Sequence, residues 1–137
     1  MELGRKTLNG HKMNIEQARE YALSLPGVEE SLFCDDWVQY RIEGKWMMLL
    51  WLNAPEPRVA VKCDPAIAIE LREKYRGVEP AYHMNKKMWN DLYLERDLDE
   101  EEIRKWIRHS YEEVAKKLPK FLRQKYQIDL MKMNETK

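Results

Sequence analysis

The sequence predicts an α+β fold of two layers, in which an antiparallel sheet of about five strands carries its helices on one face, in the order α-β-β-β-α-β-β-α. Three observations predict it. Apolar residues recur at three- and four-residue steps in three separate stretches, each opened by a capping residue. Between them the pattern shortens to strand-length runs rich in Trp, Tyr, Val and Ile. The breaks between elements fall on Pro, Gly and Asn clusters short enough to join antiparallel neighbours.

The first helix follows Asn14, with Gln17 placed to close a capping box, and Ile15, Ala18, Tyr21, Ala22 and Leu25 share a face. Pro26 and Gly27 end it. Trp37 to Ile42, a turn at Glu43 and Gly44, and the apolar run Trp46 to Leu52 read as a hairpin. After the turn cluster at Asn53 to Pro57, Arg58 to Cys63 alternates as a third strand. Asp64 and Pro65 start the second helix, with Ile67, Ala68, Leu71 and Tyr75 on one side and Gly77 as its stop. Residues 78 to 95 read as a second hairpin turning at Asn85 to Lys87. Asp99 and Glu102 form a capping box for the last long helix, whose Ile103, Trp106, Ile107, Tyr111, Val114 and Leu118 make its apolar stripe, and Pro119 interrupts it.

A chain of 137 residues is the size of one domain and buries about two thirds of its unfolded surface. Residues 13 to 120 form that domain. Residues 1 to 12 read as a flexible leader and residues 121 to 137 as a partly disordered extension. Lys plus Arg and Asp plus Glu are both 24, so no global field draws nucleic acid or an anionic membrane, and a polyanion site has to be a local patch. Trp46 to Leu52, the longest apolar run, is far below the roughly 20 residues of a transmembrane helix. Cys34 and Cys63 show no CxxC spacing, which fits reduced thiols in a cytoplasmic protein. There is no four-ligand zinc set, no glycine-rich phosphate loop and no nucleophile elbow, so neither a metal nor a cofactor is expected.

Four stretches carry a family resemblance: LPGVEE at Leu25 to Glu30, VKCDP at Val61 to Pro65, YHMNKKMWN at Tyr82 to Asn90, and HSYEEVAKKLPK at His109 to Lys120. In order and spacing the chain from Met13 to about Lys120 resembles the MmcQ/YjbR family of small bacterial proteins. The resemblance implies a fold similar to secretion chaperones and the frataxin-like CyaY proteins, and a DNA-binding role of double-wing character. One position departs from the family pattern. A His usually precedes the motif's Trp, and here Met88 stands there, so any function resting on a His pair would lack one member.

The most function-like cluster is Tyr82, His83, Asn85, Lys86, Lys87 and Trp89, since a basic hairpin tip beside aromatic rings can hold phosphate and stack a base. Any solvated hairpin also needs alternating strand residues and a Lys-bearing turn. Arg58 and Lys62 join this patch if the third to fifth strands are neighbours. Glu56, Asp64 and Glu79 dilute it. The last helix is polarised: acids at its start, then eight cations against Glu112 and Glu113 between Ile103 and Lys125, a pattern the helix dipole alone accounts for. Lys117 belongs to that run. Cys63 precedes a helix start that would favour a thiolate, with His83 as its one plausible base, but a buried structural thiol fits better. Glu29 with Glu30 and Asp35 with Asp36 point to opposite strand faces and do not converge on an ion.

The sequence therefore points to a non-enzymatic monomer that contacts DNA through Arg58, Lys62, Tyr82, His83, Asn85, Lys86, Lys87 and Trp89. The alternative is a chaperone-like interaction module that receives a partner peptide on an exposed sheet face or edge strand, by strand addition or in an apolar groove, anchored by whichever of Trp37, Trp46, Trp51 and Tyr40 are at the surface.

Overall fold

A computed structural model describes residues 11–81 and 84–128. Helix α1 (Ile15–Ser24) is followed by four strands, β1 (Val28–Cys34), β2 (Trp37–Ile42), β3 (Lys45–Trp51) and β4 (Arg58–Lys62). Helix α2 (Pro65–Lys74), strands β5 (Val78–Pro80) and β6 (Trp89–Tyr93), and helices α3 (Glu100–Ala115) and α4 (Lys120–Lys125) complete the order. The six strands form one antiparallel sheet, β1-β2-β3-β4-β6-β5. Among the described residues no helix is long and apolar enough to cross a membrane.

The α+β architecture follows the sequence, with one strand more than expected. Val28–Cys34 forms an edge strand whose Ser31, Leu32, Phe33 and Cys34 are all exposed, so it carries no in-out alternation to read. Its register with β2 is fixed from Val28 opposite Ile42 to Leu32 opposite Val38.

The caps position the helices as their sequences require. Asn14 accepts from the Gln17 N–H at 2.8 Å and Gln17 Oε1 accepts from the Asn14 N–H at 2.9 Å, closing the box. At α3 only half a box forms. Asp99 accepts from the Glu102 N–H, but the Glu102 carboxylate takes the Trp106 indole N–H at 3.0 Å instead of turning back. Met13 is buried in the core, and the carbonyl of His11 accepts from Glu100 N–H at 2.7 Å, so residues 11 and 12 of the expected leader adjoin the domain. The rest of that leader and the tail beyond residue 128 lie outside the described residues.

The helices cover one face of the sheet. Tyr40, Met48, Val61 and Leu92 pack there against Ile103, Ile107 and Tyr111 of α3. A buried serine bolts the two layers together: Ser110 Oγ donates to the Met47 carbonyl at 2.5 Å and accepts from Lys62 N–H at 2.9 Å. A bulge at β2–β3 pairs Tyr40 with Met48 and Arg41 with Trp46, which leaves Met47 as the extra residue and turns it into the core. Trp46 thereby stays beside Arg41 on the opposite face. That second face carries only a small cluster, Leu49, Ala60, Ala81 and Trp89, with Trp37, Trp46, Met84 and Met88 packed around it.

Candidate functional site

The face without helices is the chemically distinctive part of the molecule. Its cross-strand partners form three rows. Trp37 pairs with Trp51 and Arg58 with Tyr93; Gln39 pairs with Leu49 and Ala60 with Asp91; Arg41 pairs with Trp46 and Lys62 with Trp89. Leu49 and Ala60 are themselves partners, which joins the two halves into continuous rows across β2, β3, β4 and β6.

Where the third row reaches the end of the sheet, beside the C-terminal end of α3, a cleft of about 680 Å³ opens, within the size range of ligand sites. Phe33, Arg41, Lys45, Trp46, Lys62 and Lys117 line it, together with uncharged neighbours, and among the described residues no carboxylate does. Its aromatic wall is held by a relay: the Trp46 indole donates to Gln39 Oε1 at 2.6 Å, and Gln39 Nε2 donates to Ser31 Oγ at 3.0 Å. Phe33 meets Trp46 edge-on, ring centroids 5.2 Å apart. None of the four cations forms an ion pair among the described residues. Burial holds the Lys62 ammonium below its ordinary pKa, and the positive charges of Lys117, Lys45 and Lys116 push the same way, with Glu113 alone opposing.

Of the residues expected from sequence, Lys62 lies in this cleft and Trp89 at its floor, buried to 6 % exposure. A Trp so buried supports its neighbours and does not offer a ring face to a base. Asn85, Lys86 and Lys87 are exposed on the connection into β6, where Asn85 Oδ1 accepts from Lys87 N–H at 2.9 Å and the Arg72 guanidinium donates to the Lys86 carbonyl. They lie beyond the strand ends that carry Lys62 and Trp89. Tyr82 and His83 lie outside the described residues. Arg58 is at the far end of β4, 3.6 Å from Asp91 and stacked between Trp51 and Tyr93 at 4.9 and 5.2 Å. Neighbouring strands thus do bring Arg58 and Lys62 onto one face, but at opposite ends, and Arg58 already has its counter-ion.

Sequence reasoning did not join Arg41, Lys45 and Phe33 to the site. The cross-strand position of Arg41 and Trp46 depends on the bulge, which no local pattern announces. Four of the seven other cations in the basic run that ends the chain's last long helix are paired, Arg104 with Glu100, Arg108 with Glu112, Lys116 with Glu113 and Lys125 with Glu43, and of that run Lys117 is the one that lines the cleft.

The other groups with chemical potential are occupied structurally. Burial, and then the charge of Glu113, push the Cys63 thiol up to about 12, so it is no thiolate nucleophile at neutral pH. His109, buried to 6 %, accepts at Nε2 from Asp64 N–H at 3.2 Å. Glu30 receives the Arg19 guanidinium at 2.6 and 3.0 Å and the Tyr40 hydroxyl at 2.7 Å. Among the described residues no three His, Cys, Asp or Glu side chains group as a metal site.

Comparison with known proteins gives the family and the fold. The YjbR family model matches residues 23–113, two thirds of the chain. The chain belongs to the YjbR family. That match takes in β1 to β6 and most of α3, and with them every cleft cation except Lys117. The uncharacterised YjbR protein of Escherichia coli K12 is 29% identical over 109 residues, 78% of this chain and 92% of that one. YbdF of Escherichia coli O157:H7 is 33% identical over 106 residues, 77% of this chain and 87% of that one. The crystal structure of Deinococcus radiodurans DR2400, a DUF419 domain, superposes with a TM-score of 0.79 at 25% identity, covering 86% of this chain and 91% of that one. A crystal structure from Pseudomonas syringae gives 0.63 at 28% identity, covering 72% and 96%. This YjbR chain therefore shares its fold with solved structures over most of its length.

Proposed function

We propose that this chain is a non-enzymatic DNA-binding protein whose contact is the cleft of Arg41, Lys45, Lys62 and Lys117. The observation that carries the reading is four cations without a lining carboxylate, set beside Phe33 and Trp46. A chain with no net charge needs such a local concentration to hold a polyanion. Lys86 and Lys87 add to the field from the neighbouring strand ends. The four cleft cations, with no ion pair among the described residues and in a partly desolvated site, favour a phosphate.

Fluorescence anisotropy of labelled DNA at roughly 50 and 200 mM salt tests this, because phosphate contacts weaken steeply over that range. Binding is expected to fall with salt and to be lost on Lys45→Glu with Lys117→Glu, both exposed positions whose change spares the fold. Lys86→Glu with Lys87→Glu is expected to weaken it less. Unchanged affinity after the cleft reversal would sink the proposal.

A second reading rests on β1. This edge strand is seven residues long, and its Leu32 and Phe33 are 69% and 50% exposed, so it offers unpaired backbone and apolar side chains to a partner strand. Tyr40 is fully buried and anchors nothing there, whereas Trp37, Trp46 and Trp51 are half-buried on the uncovered face. Partner binding of this kind would be insensitive to salt.

A further inference from the structure

We infer that the part of a DNA strand seated in the basic cleft is its end, held by a terminal phosphomonoester. The inference rests on the DNA-binding reading and deepens it by naming the group that is bound. A phosphate inside a strand carries one negative charge, so a protein that grips the middle of a strand needs cations spread along the path of the backbone. The uncovered face has no such path across it. The row next to the cleft, Gln39, Leu49, Ala60 and Asp91, holds no cation. Beyond it Arg58 lies 3.6 Å from Asp91, and Arg96 holds Glu56 at 2.7 Å and Glu79 at 2.9 Å.

The positive charge is gathered in one place instead. Arg41 of β2, Lys45 at the start of β3, Lys62 at the end of β4 and Lys117 from the turn after α3 all line the same cleft of about 680 Å³. The two carboxylates that adjoin its lining residues in sequence are engaged elsewhere. Glu43, beside Gly44, takes the Tyr126 hydroxyl and lies 3.5 Å from Lys125, and Glu113, beside Val114, lies 2.9 Å from Lys116. At the end of α3 the carbonyls of Glu112, Val114 and Ala115 accept from the N–H groups of Lys116, Lys117 and Leu118, which satisfies the helix's own acceptors there. A terminal phosphomonoester matches this concentration of cations. It carries about 1.5 to 2 negative charges near neutral pH and three acceptor oxygens on one phosphorus, and the phosphodiester next to it adds one charge more. The last base of a strand also has one face without a neighbour. Phe33, 50% exposed at the cleft wall and edge-on to Trp46, gives that base an aromatic side chain to lie against.

End chemistry tests this directly. One short oligonucleotide, labelled at an internal base, is prepared as a single strand and as a blunt duplex, with a 5′-phosphate, with a 3′-phosphate and with hydroxyls at both ends. Each form is titrated against the intact protein by fluorescence anisotropy at low salt. A form with a terminal phosphate is expected to bind at least about tenfold more tightly than its hydroxyl counterpart, the gain of one charge-assisted hydrogen bond. Lys45→Met with Lys117→Met, both exposed positions, should bring the forms together, and thymidine monophosphate should compete with the phosphorylated strand only weakly. Equal affinity of the three forms would overturn the end and leave the cleft reading standing. A preference for phosphorylated ends that survives both lysine changes would overturn it too, since the end would then sit elsewhere. Thymidine monophosphate binding as tightly as the phosphorylated strand would overturn it by making a free nucleotide the ligand. No binding of any DNA form would remove both this inference and the reading beneath it.

Discussion

Lys62 and Trp89 are direct partners across the β4–β6 ladder, and each shapes what the other can do. The buried indole leaves the ammonium in a partly desolvated niche among other cations, with its pKa held below the usual 10.5. For a lysine that shift works against folding while the group is charged. The unfolded chain binds the proton more tightly, so the cost is fully present below the folded pKa and fades as pH rises from there toward 10.5. Lys62→Met is accordingly expected to stabilise the fold by roughly 0.5 kcal/mol at neutral pH. That gain should shrink in alkaline buffer, as urea unfolding at two pH values would show.

Glu30 titrates in the opposite sense. The Arg19 guanidinium hydrogen-bonded to it, and the Tyr40 hydroxyl after that, hold its carboxyl below the ordinary 4.5. Its contribution is present above that value and is lost as pH falls through the lowered folded pKa. Because Arg19 is 41% exposed, solvent screens much of the pair, and Glu30→Gln is expected to cost about 1 kcal/mol at pH near 7. The difference from wild type should close in acid, measured by thermal melts across the carboxylate range.

Ser110→Ala tests the bolt between sheet and helix. Its hydroxyl serves a β3 carbonyl and a β4 N–H at once, and with the side chain fully buried no water takes its place. Loss of about 2 kcal/mol is expected, the usual cost of leaving buried backbone groups unpaired. Hydrogen exchange at the Lys62 amide should rise with it.

Gly27 turns the chain from α1 into β1 at φ +83°, and an added Cβ would stand 2.9 Å from the Tyr126 ring. Gly27→Ala should destabilise by roughly 2 kcal/mol, from left-handed strain and the clash together. Adding Tyr126→Ala should recover only the steric part, so a double-mutant cycle separates the two.

The helices were legible because each carries its own punctuation. Asn14, Asp64 and Asp99 cap where the sequence places them, and Ala18, Ala22, Ile103, Ile107 and Tyr111 are buried as their spacing requires. The sheet was legible wherever a strand has a buried face. Val28–Cys34 was not, since an edge strand exposed along most of its length obeys no alternation. The cleft eluded the sequence for a different reason. Arg41 and Trp46 meet through a bulge, and Lys117 comes from the turn after α3, more than fifty residues beyond Lys62. Arg58 shows the converse: a cation that reads as available from its strand position is neutralised by Asp91, a partner only the β4–β6 register brings near.

The two thiols give this molecule a built-in attachment point for spectroscopy. Cys34 is exposed and immediately follows Phe33 at the cleft, while Cys63 is buried with its proton held tightly. A maleimide dye should therefore couple to Cys34 alone in the native protein, with no residue replaced. A fluorophore there would sit at the mouth of the basic cleft and change colour or brightness when the cleft fills, reporting occupancy by any ligand, whatever its class.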